Sequence, residues 1–231
     1  MALYKRIKSD EGIVIGVWKI EETLETLLSL YTEDKELQLL SESNLNKQKL
    51  IEKIAVRVLL HTLLPNEDVV ITYEPSGKPM LNSGDYNLSI SHTKGFVAVI
   101  LGLNQYQVGI DIEPISERTV KVAKRFMGVE EYAELMKHQD KTVSTICWSA
   151  KETLYKIVGH SVVDFSESML VHPFKVNNEG SILIEQNNNR HEIYKFDYTI
   201  FDDTVLVWGI KKIFFIFLFR KNKIAKNVKI E

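Results

Sequence analysis

The sequence predicts an α+β fold made of two halves of similar plan. Strand and helix patterns follow one another along the 231 residues in the order strand, helices, strands, then helices and strands again. This length fits one large domain or two small ones, at about 100–200 residues per domain. A boundary near residues 113–117 would divide the chain almost equally.

The amino-acid composition excludes several classes of protein. The chain carries 29 Lys+Arg against 31 Asp+Glu, whereas a nucleic-acid-binding protein needs a basic excess, so we expect no nucleic-acid partner. The single cysteine, Cys147, excludes an internal disulfide and a cysteine-rich zinc site, and it suits the reducing cytoplasm. The N-terminus lacks the apolar core of a signal peptide, and the apolar run 213–219 is far shorter than the ~18 residues of a membrane span. We therefore expect a cytoplasmic protein without membrane association.

Residue periodicity predicts the elements of the first half. The segment 13–18 is rich in Val and Ile, which predicts a strand, and 47–64 places apolar residues along one helical stripe. Pro65 ends that helix, and the cluster 75–79 predicts a turn. The other predicted elements are a helix over 21–31 and strands over 69–73, 86–91, 96–103 and 108–113.

The second half begins with helical patterns and ends with strand patterns. Its longest predicted helix, 142–158, ends at Gly159, a common residue after a helix C-terminus. The segment 211–231 alternates poorly and receives no element. The other predicted elements are helices over 119–127 and 130–138, and strands over 171–176, 181–185, 191–201 and 204–210.

Two carboxylates stand on one face of the strand at 108–113. Because side chains alternate along a strand, Asp111 and Glu113 point one way, with Cα atoms about 6.7 Å apart at about 3.3 Å rise per residue. Like charges this close raise each other's pKa unless a cation lies between them, and oxygen ligands suit Mg²⁺. An exposed strand face that happens to be acidic is the alternative interpretation.

Two further groups carry candidate chemistry. In the helix at 142–158, Trp148, Glu152 and Lys156 share one stripe, although a helix-stabilising Glu152–Lys156 pair is the simpler reading. The turn at 89–95 gathers hydroxyl, imidazole and ammonium groups that suit a phosphate, or it is an ordinary polar loop. No P-loop, dinucleotide-binding glycine motif or zinc-protease motif is present in the sequence.

In their order and spacing, these features resemble the 4'-phosphopantetheinyl transferase superfamily. The similar run spans 77–159 and reads GKPML, NLSISHTKGFVAVIL, VGIDIEPIS, AKRFMGVEEY and WSAKETLYKIVG. Its most specific part is the ordered pair G-[IV]-D-x-E and W-[ST]-x-K-E-[ST]-x-x-K. The length favours the long class typified by the surfactin-synthetase activator. The similarity is loose around Arg57, after Gly159 and in the C-terminal third, where the apolar run 213–219 is unexpected.

The resemblance implies a fold and an activity. The fold would be an α+β, 4'-phosphopantetheinyl transferase-like pseudo-dimer of two similar α/β halves related by a pseudo-two-fold axis, as a monomer. Its halves would be 1–112, with the contacts to the nucleotide end, and 113–231, with the catalytic helix and the carrier-protein face. The activity would be transfer of phosphopantetheine from coenzyme A to a serine of an acyl or peptidyl carrier protein, releasing adenosine 3',5'-bisphosphate.

The same resemblance implies roles for individual residues. Asp111, Glu113 and Glu152 would hold Mg²⁺ or Mn²⁺ with the pyrophosphate. Glu152 would also act as general base toward the carrier serine, and Lys156 would balance charge on the leaving phosphate. The residues implied to bind coenzyme A are Lys78, Ser91, His92, Lys151, Lys156 and, near the N-terminus, Arg57 or one of Lys47, Lys49 and Lys53.

The implied carrier partner is acidic, and one predicted helix presents a basic face. This face could equally be a solvated helix surface. It consists of Arg118, Lys121, Lys124 and Arg125.

Two other functions stay open on the sequence. A silent homologue would bind coenzyme A or carrier protein without transfer. An unrelated metal phosphoesterase would use the same carboxylates on generic nucleotides and ignore carrier proteins.

Overall fold

The computed structural model describes residues 3–31, 46–65, 67, 69–159, 164–187 and 191–213. The segment after Gly159, up to residue 163, and all but the first residue of the apolar run 213–219 lie outside these ranges. Within them, no helix has both the length and the apolar character needed to cross a membrane.

Helices and strands alternate in the order predicted for an α+β chain. The strands are β1 Leu3–Lys8, β2 Val14–Lys19, β3 Ile71–Tyr73, β4 Pro79–Leu81, β5 Tyr86–Thr93, β6 Phe96–Leu103, β7 Tyr106–Pro114, β8 Met169–Val171, β9 Glu179–Asn187, β10 His191–Phe201 and β11 Thr204–Lys212. The helices are α1 Leu24–Leu30, α2 Lys47–Leu63, α3 Glu117–Val122, α4 Val129–Leu135, α5 Lys141–Val158 and α6 Phe165–Ser168, with a 3-10 turn at Ala123–Arg125.

The strands form two antiparallel sheets, which confirms the α+β class. The first sheet has the order β1-β2-β6-β5-β4-β3, and the second has the order β7-β11-β10-β9-β8. β7 pairs with β11 along its whole length, so it belongs to the second sheet. The proposed boundary between residues 112 and 113 therefore lies inside β7. The division into 1–112 and 113–231, and the pseudo-two-fold relation of the halves, stay predictions.

Three apolar clusters hold these layers together. α2 packs on the first sheet, where Leu59 and Leu63 lie over Gly16 of β2. α5 packs on the second sheet, and its Ile146, Ala150 and Leu154 are buried there. The third cluster fills the space between the two sheets, and β7 supplies its centre. Its fully buried members include Ile110, Ile112, Ile15, Ile100 and Leu206.

The long periodic segments were predicted well and the short or charged ones less well. The helix expected at 47–64 is α2, and the strand expected at 191–201 is β10. β1 was missed because its alternating Lys and Arg hide a half-buried edge strand. The strand expected at 171–176 is wrong, since β8 ends at Val171. The helix expected at 119–127 is instead α3 followed by a 3-10 turn.

Gly109 sets the distance between β7 and α5. A Cβ atom at this position would lie 2.3 Å from the Thr153 carbonyl oxygen and 2.9 Å from Ile157 Cγ1. Helix α5 thus crosses β7 at a point where only hydrogen fits. Since Asp111 and Glu113 follow on the same face of the strand, this close approach brings their carboxylates against α5.

We expect Gly109→Ala to lower the free energy of unfolding by about 1–3 kcal/mol, because the methyl group overpacks the contact with α5. Urea denaturation at constant pH measures the change. Gln107→Ala, on the same strand but away from this contact, is the control. An unchanged midpoint for Gly109→Ala would contradict the close approach.

Candidate active site

The acidic face of β7 lies against the polar stripe of α5. The helix begins at its N-cap Asp140, whose side chain accepts hydrogen bonds from the Thr142 and Val143 amides. The Trp148 indole Nε1 donates to Glu113 Oε1 at 3.2 Å, and the Lys156 ammonium donates to Asp111 Oδ1 at 2.9 Å. The stripe therefore meets the strand in antiparallel register. Lys156 forms its ion pair with Asp111 rather than with Glu152, the partner expected for a helix-stabilising pair.

Asp111 is the most buried carboxylate of this group, with 4% of its surface exposed. Its Oδ1 accepts two hydrogen bonds, one from Lys156 and one from the Ser91 hydroxyl at 2.9 Å. Lys156 donates a further hydrogen bond to the Ile110 carbonyl at 2.8 Å, which fixes the ammonium. Asp111 Oδ2 is buried and has no hydrogen-bond partner. A buried carboxylate oxygen without a donor is costly, so this oxygen is the atom of Asp111 most available to a bound cation.

The charge of Asp111 disfavours the ionised forms of the two glutamates. Burial, together with the charges of Asp111 and Glu113, raises the pKa of Glu152 to about 7, although Lys156 opposes the rise. Burial and the charge of Asp111 likewise raise the pKa of Glu113, and Lys156 and Arg118 oppose that rise. The nearby basic groups therefore offset only part of the cost of ionising the two glutamates.

The donor set fits a divalent metal ion, although the carboxylates are not gathered into a finished site. Within the described ranges, no three His, Cys, Asp or Glu side chains are close enough together to hold a metal ion. Trp148 holds one oxygen of Glu113, and Lys156 and Ser91 hold one oxygen of Asp111. The unpartnered Asp111 Oδ2 and the raised pKa values still mark a place where a hard cation would be stabilised. The assignment of Asp111, Glu113 and Glu152 as ligands stays a prediction.

A small cationic cavity lies beside α2. It measures about 220 Å³ and includes Lys53 and Arg57 of α2, Tyr73 of β3 and His92 of β5 among its walls. The Arg57 guanidinium is buried and donates to the Lys53 carbonyl at 3.1 Å. His92 Nδ1 lies 3.2 Å from Glu52 Oε2. Three basic side chains around one small cavity suit a phosphate group.

A larger cleft continues from this cavity toward the acidic site. It measures about 500 Å³, and Gly77, Pro79 and Ile90 line both spaces. Lys78 lies on one wall and Lys156 on another. A ligand with phosphates at both ends would therefore meet basic groups in each of the two spaces. Lys78, Arg57, His92 and Lys156 are thus brought to one connected surface.

Ser91 and Lys151 are not positioned as the resemblance implied. Ser91 is 7% exposed, and its hydroxyl bonds Asp111 and the Ile112 amide. Lys151 is fully buried, 2.6 Å from Glu131 Oε2, and donates to the carbonyls of Phe126 and Met169 at 2.7 and 2.8 Å. The expectation that Lys151 meets a phosphate is corrected, because its ammonium faces the protein core.

An aromatic pocket of about 440 Å³ lies on the other side of Glu152. The rings of Phe126, Trp148 and Phe165 form its walls, with centroids 5.2 Å apart for the first pair and 5.9 Å for the second. Arg125 and Glu152 supply polar groups at its surface. Glu152 is therefore accessible from this aromatic pocket.

The basic side chains of α3 and the following turn are all exposed. Lys124 Nζ lies 5.3 Å from the centroid of the Tyr132 ring, and Val129, at the start of α4, is 88% exposed. Met127, which follows this turn, is buried. The exposed set, called the basic face below, comprises Arg118, Lys121, Lys124 and Arg125.

Several residues of the site escaped the sequence analysis. Glu52 was missed because a helix residue gives no sign of contact with His92, about 40 positions away. Phe165 was missed because it lies in a segment of weak periodicity. Ser89 and Ser91 carried a usable signal, since two hydroxyls on one strand face can bond a neighbouring strand.

Comparison with known proteins adds an independent finding. Residues 107–204 match the family model of the 4'-phosphopantetheinyl transferase superfamily. That segment contains β7, α5 and the facing carboxylates. The recognition made from the sequence is thereby confirmed.

Individual superfamily members are similar at low identity. The chain is 29% identical over 156 residues to the 4'-phosphopantetheinyl transferase gsp of Aneurinibacillus migulanus, covering 66% of this chain and 62% of that protein. It is 26% identical over 122 residues to the 4'-phosphopantetheinyl transferase psf-1 of Bacillus pumilus, covering 50% and 52%. The 4'-phosphopantetheinyl transferase Sfp of Bacillus subtilis strain 168 is 27% identical over 141 residues, covering 59% and 61%. The chain thus spans between half and two thirds of the length of these relatives.

Without metal, we expect stability to fall as pH rises, because the folded state favours protonated Glu152. Its pKa is about 7 in the fold but about 4.3 in an unfolded chain, so this contribution is complete below pH 4.3 and is lost as pH rises through 7. Glu152→Gln mimics the protonated form. The free energy of unfolding is measured with urea in the presence of a chelator. The variant should be more stable than wild type at pH 8 and about equally stable at pH 4.

The exposed Glu130→Gln variant is the control for removing a carboxylate. Added Mg²⁺ should raise wild-type stability at pH 8 more than that of Glu152→Gln. If Glu152→Gln changed the free energy of unfolding by the same amount at pH 4 and pH 8, the raised pKa of Glu152 would be refuted.

Proposed function

We propose that this chain transfers the 4'-phosphopantetheine group from coenzyme A to a serine of an apo carrier protein, dependent on Mg²⁺. The observation that carries the proposal is the opposition of β7 and α5, which brings Asp111, Glu113, Glu152 and Lys156 together. Superfamily membership of the segment that contains them supports it. The named transferase activity of the relatives supports it further.

Coenzyme A would lie along the two connected cavities. Its nucleotide phosphate would occupy the cavity of Arg57, Lys53 and His92, and its pyrophosphate would reach Lys78 and Lys156. Lys156 has its ammonium 2.9 Å from Asp111 and lines the larger cleft, so its charge would lie next to the pyrophosphate. There it balances the negative charge that develops on the departing adenosine 3',5'-bisphosphate.

Glu152 would act as the general base. Without the metal ion its pKa is about 7, and a bound cation lowers this pKa, which favours proton transfer through a water molecule. Glu152 takes the proton of the carrier serine, directly or through a water molecule, while the serine oxygen forms a bond to the phosphorus of phosphopantetheine. The bond from this phosphorus to the bridging oxygen breaks, and both electrons leave with the bisphosphate.

Asp111, Glu113 and Glu152 would hold the divalent ion, through Asp111 Oδ2 in the first place. Such an ion supplies positive charge to the pyrophosphate oxygens and offsets the repulsion among the carboxylates. Because all these residues come from one chain, we propose a monomer. The fully buried, free Cys147 accords with a cytoplasmic location, which we also propose.

The carrier protein would dock on the basic face. All four cations of this face are exposed, and Arg125 also lines the aromatic pocket next to Glu152. An acidic carrier attracted by these charges would thus arrive beside the proposed base. Complementary charge accelerates such encounters even where the net charge of the chain is −2.

We expect wild-type protein, coenzyme A and Mg²⁺ to add one phosphopantetheine to apo carrier proteins, detected by intact-protein mass spectrometry. Glu152→Gln and Asp111→Asn should slow transfer by about 100-fold or more, since each removes a charge at the reacting centre. Glu130→Gln is the matched control and should retain the wild-type rate.

Three results would overturn this function. Coenzyme A binding by calorimetry without mass gain on any carrier tested would favour a silent homologue. Phosphate release from generic nucleotides, without carrier modification, would favour a phosphoesterase. Full activity of Glu152→Gln would refute the role of this residue as base.

We expect the double variant Lys121→Glu/Lys124→Glu to raise KM for an acidic carrier by about tenfold, because steering charges of this kind change association by 10-fold or more. The kcat should change little, and the dependence of KM on salt should weaken. Lys195→Glu, at an exposed position of β10, is the control. Equal effects of the two charge reversals would exclude the basic face as the docking site.

A further inference from the structure

Two serines of β5 join the two sheets beside the active site. Ser89 Oγ accepts a hydrogen bond from the Ile110 amide at 3.3 Å, and Ser91 Oγ accepts one from the Ile112 amide at 3.2 Å. β7 bonds to β11 along its other edge. The serine hydroxyls therefore supply acceptors where β7 has no neighbouring strand backbone. Their two-residue spacing matches the spacing of the two amides.

The two serines differ in one contact. Ser91 Oγ also donates its hydrogen to Asp111 Oδ1 at 2.9 Å, and both residues are more than nine-tenths buried. A hydroxyl has a single hydrogen to donate, so Ser91 has none left for a phosphate oxygen. In the structure the Ser91 hydroxyl therefore serves the Asp111 carboxylate, and its hydrogen is not available to coenzyme A.

This contact decides which oxygen of Asp111 is available. Oδ1 is occupied by Ser91 and Lys156, whereas Oδ2 is buried without a partner. A single contact to Lys156 would leave the carboxylate free to turn about its Cβ–Cγ bond. Two donors that reach Oδ1 from β5 and α5 fix the plane of the carboxylate and leave Oδ2 directed away from both.

We propose that Ser91 is a positioning residue that orients Asp111 so that Oδ2 serves as the ligand oxygen for a divalent ion. The inference rests on the proposed function, because it takes Asp111 as a metal ligand. It changes the role that the resemblance implied for Ser91. Outer hydrogen bonds to ligating carboxylates commonly contribute 10–100-fold to metal affinity.

The test compares Ser91→Ala with Ser89→Ala in the full chain. Each variant loses one acceptor for a β7 amide, but only Ser91→Ala loses the donor to Asp111. Mn²⁺ binding in the presence of coenzyme A is followed by the paramagnetic resonance signal of free Mn²⁺. We expect Ser91→Ala to bind Mn²⁺ about 10-fold more weakly or worse. Ser89→Ala should bind Mn²⁺ like wild type.

A second measurement separates positioning from direct ligand contact. Coenzyme A binding is measured by calorimetry in a chelator, and thermal unfolding of both variants shows whether they are equally folded. Unchanged metal-free coenzyme A affinity in Ser91→Ala, with weakened Mn²⁺ binding, supports the inference. Weakened coenzyme A affinity with normal Mn²⁺ binding overturns it in favour of a phosphate contact.

The remaining outcomes are also decisive. Equal loss of Mn²⁺ affinity in both serine variants overturns the inference, because the loss would then follow from the strand contact alone. Absence of Mn²⁺ binding by wild type overturns it together with the metal assignment. Suppose that Ser91→Ala binds Mn²⁺ more weakly than Ser89→Ala and wild type, as expected, but that wild type modifies no carrier protein. This result would refute the proposed function but not the role of Ser91.

Discussion

The burial of three carboxylates beside Lys156 is the constraint on which the site depends. Asp111 and Glu113 lie on one face of β7, and Glu152 is brought to them by a helix that Gly109 allows to approach closely. Burying like charges is unfavourable unless opposite charge is supplied, and Lys156 offsets only part of it. A cation bound beside these carboxylates would therefore stabilise the fold. The site is thus complementary to a ligand that arrives with a metal ion.

The same constraint explains why the two sheets meet where they do. β7 carries the apolar pair Ile110 and Ile112 on one face and the carboxylates on the other. The apolar face fixes the strand between the sheets, so the acidic face has no freedom to turn toward solvent. The serine hydroxyls of β5 then satisfy the amides at its free edge. Packing therefore forces the charges into the cleft.

Local features were predicted well from the sequence where a periodic pattern extended over many residues. The stripe that contains Trp148, Glu152 and Lys156 follows from helix geometry, and the shared face of Asp111 and Glu113 follows from strand geometry. The structure confirms both faces. What periodicity could not supply is which distant group each side chain meets. Glu52 pairs with His92 and Ser91 with Asp111 through contacts between separate elements, and no local pattern encodes them.

Lys151 shows how a motif can mislead about a single residue. It precedes Glu152, yet about 100° of helical rotation separates neighbouring side chains, so one faces the core and the other the site. Its ammonium bonds Glu131 and the carbonyl of Phe126, whose ring forms a wall of the aromatic pocket. Replacing such a buried pair by apolar groups can be neutral for stability, whereas breaking it is costly. The ammonium also bonds the carbonyl of Phe165, so it fixes the backbone at two aromatic walls of the pocket. Lys151 and Glu152 thus contribute to one site from different faces of α5.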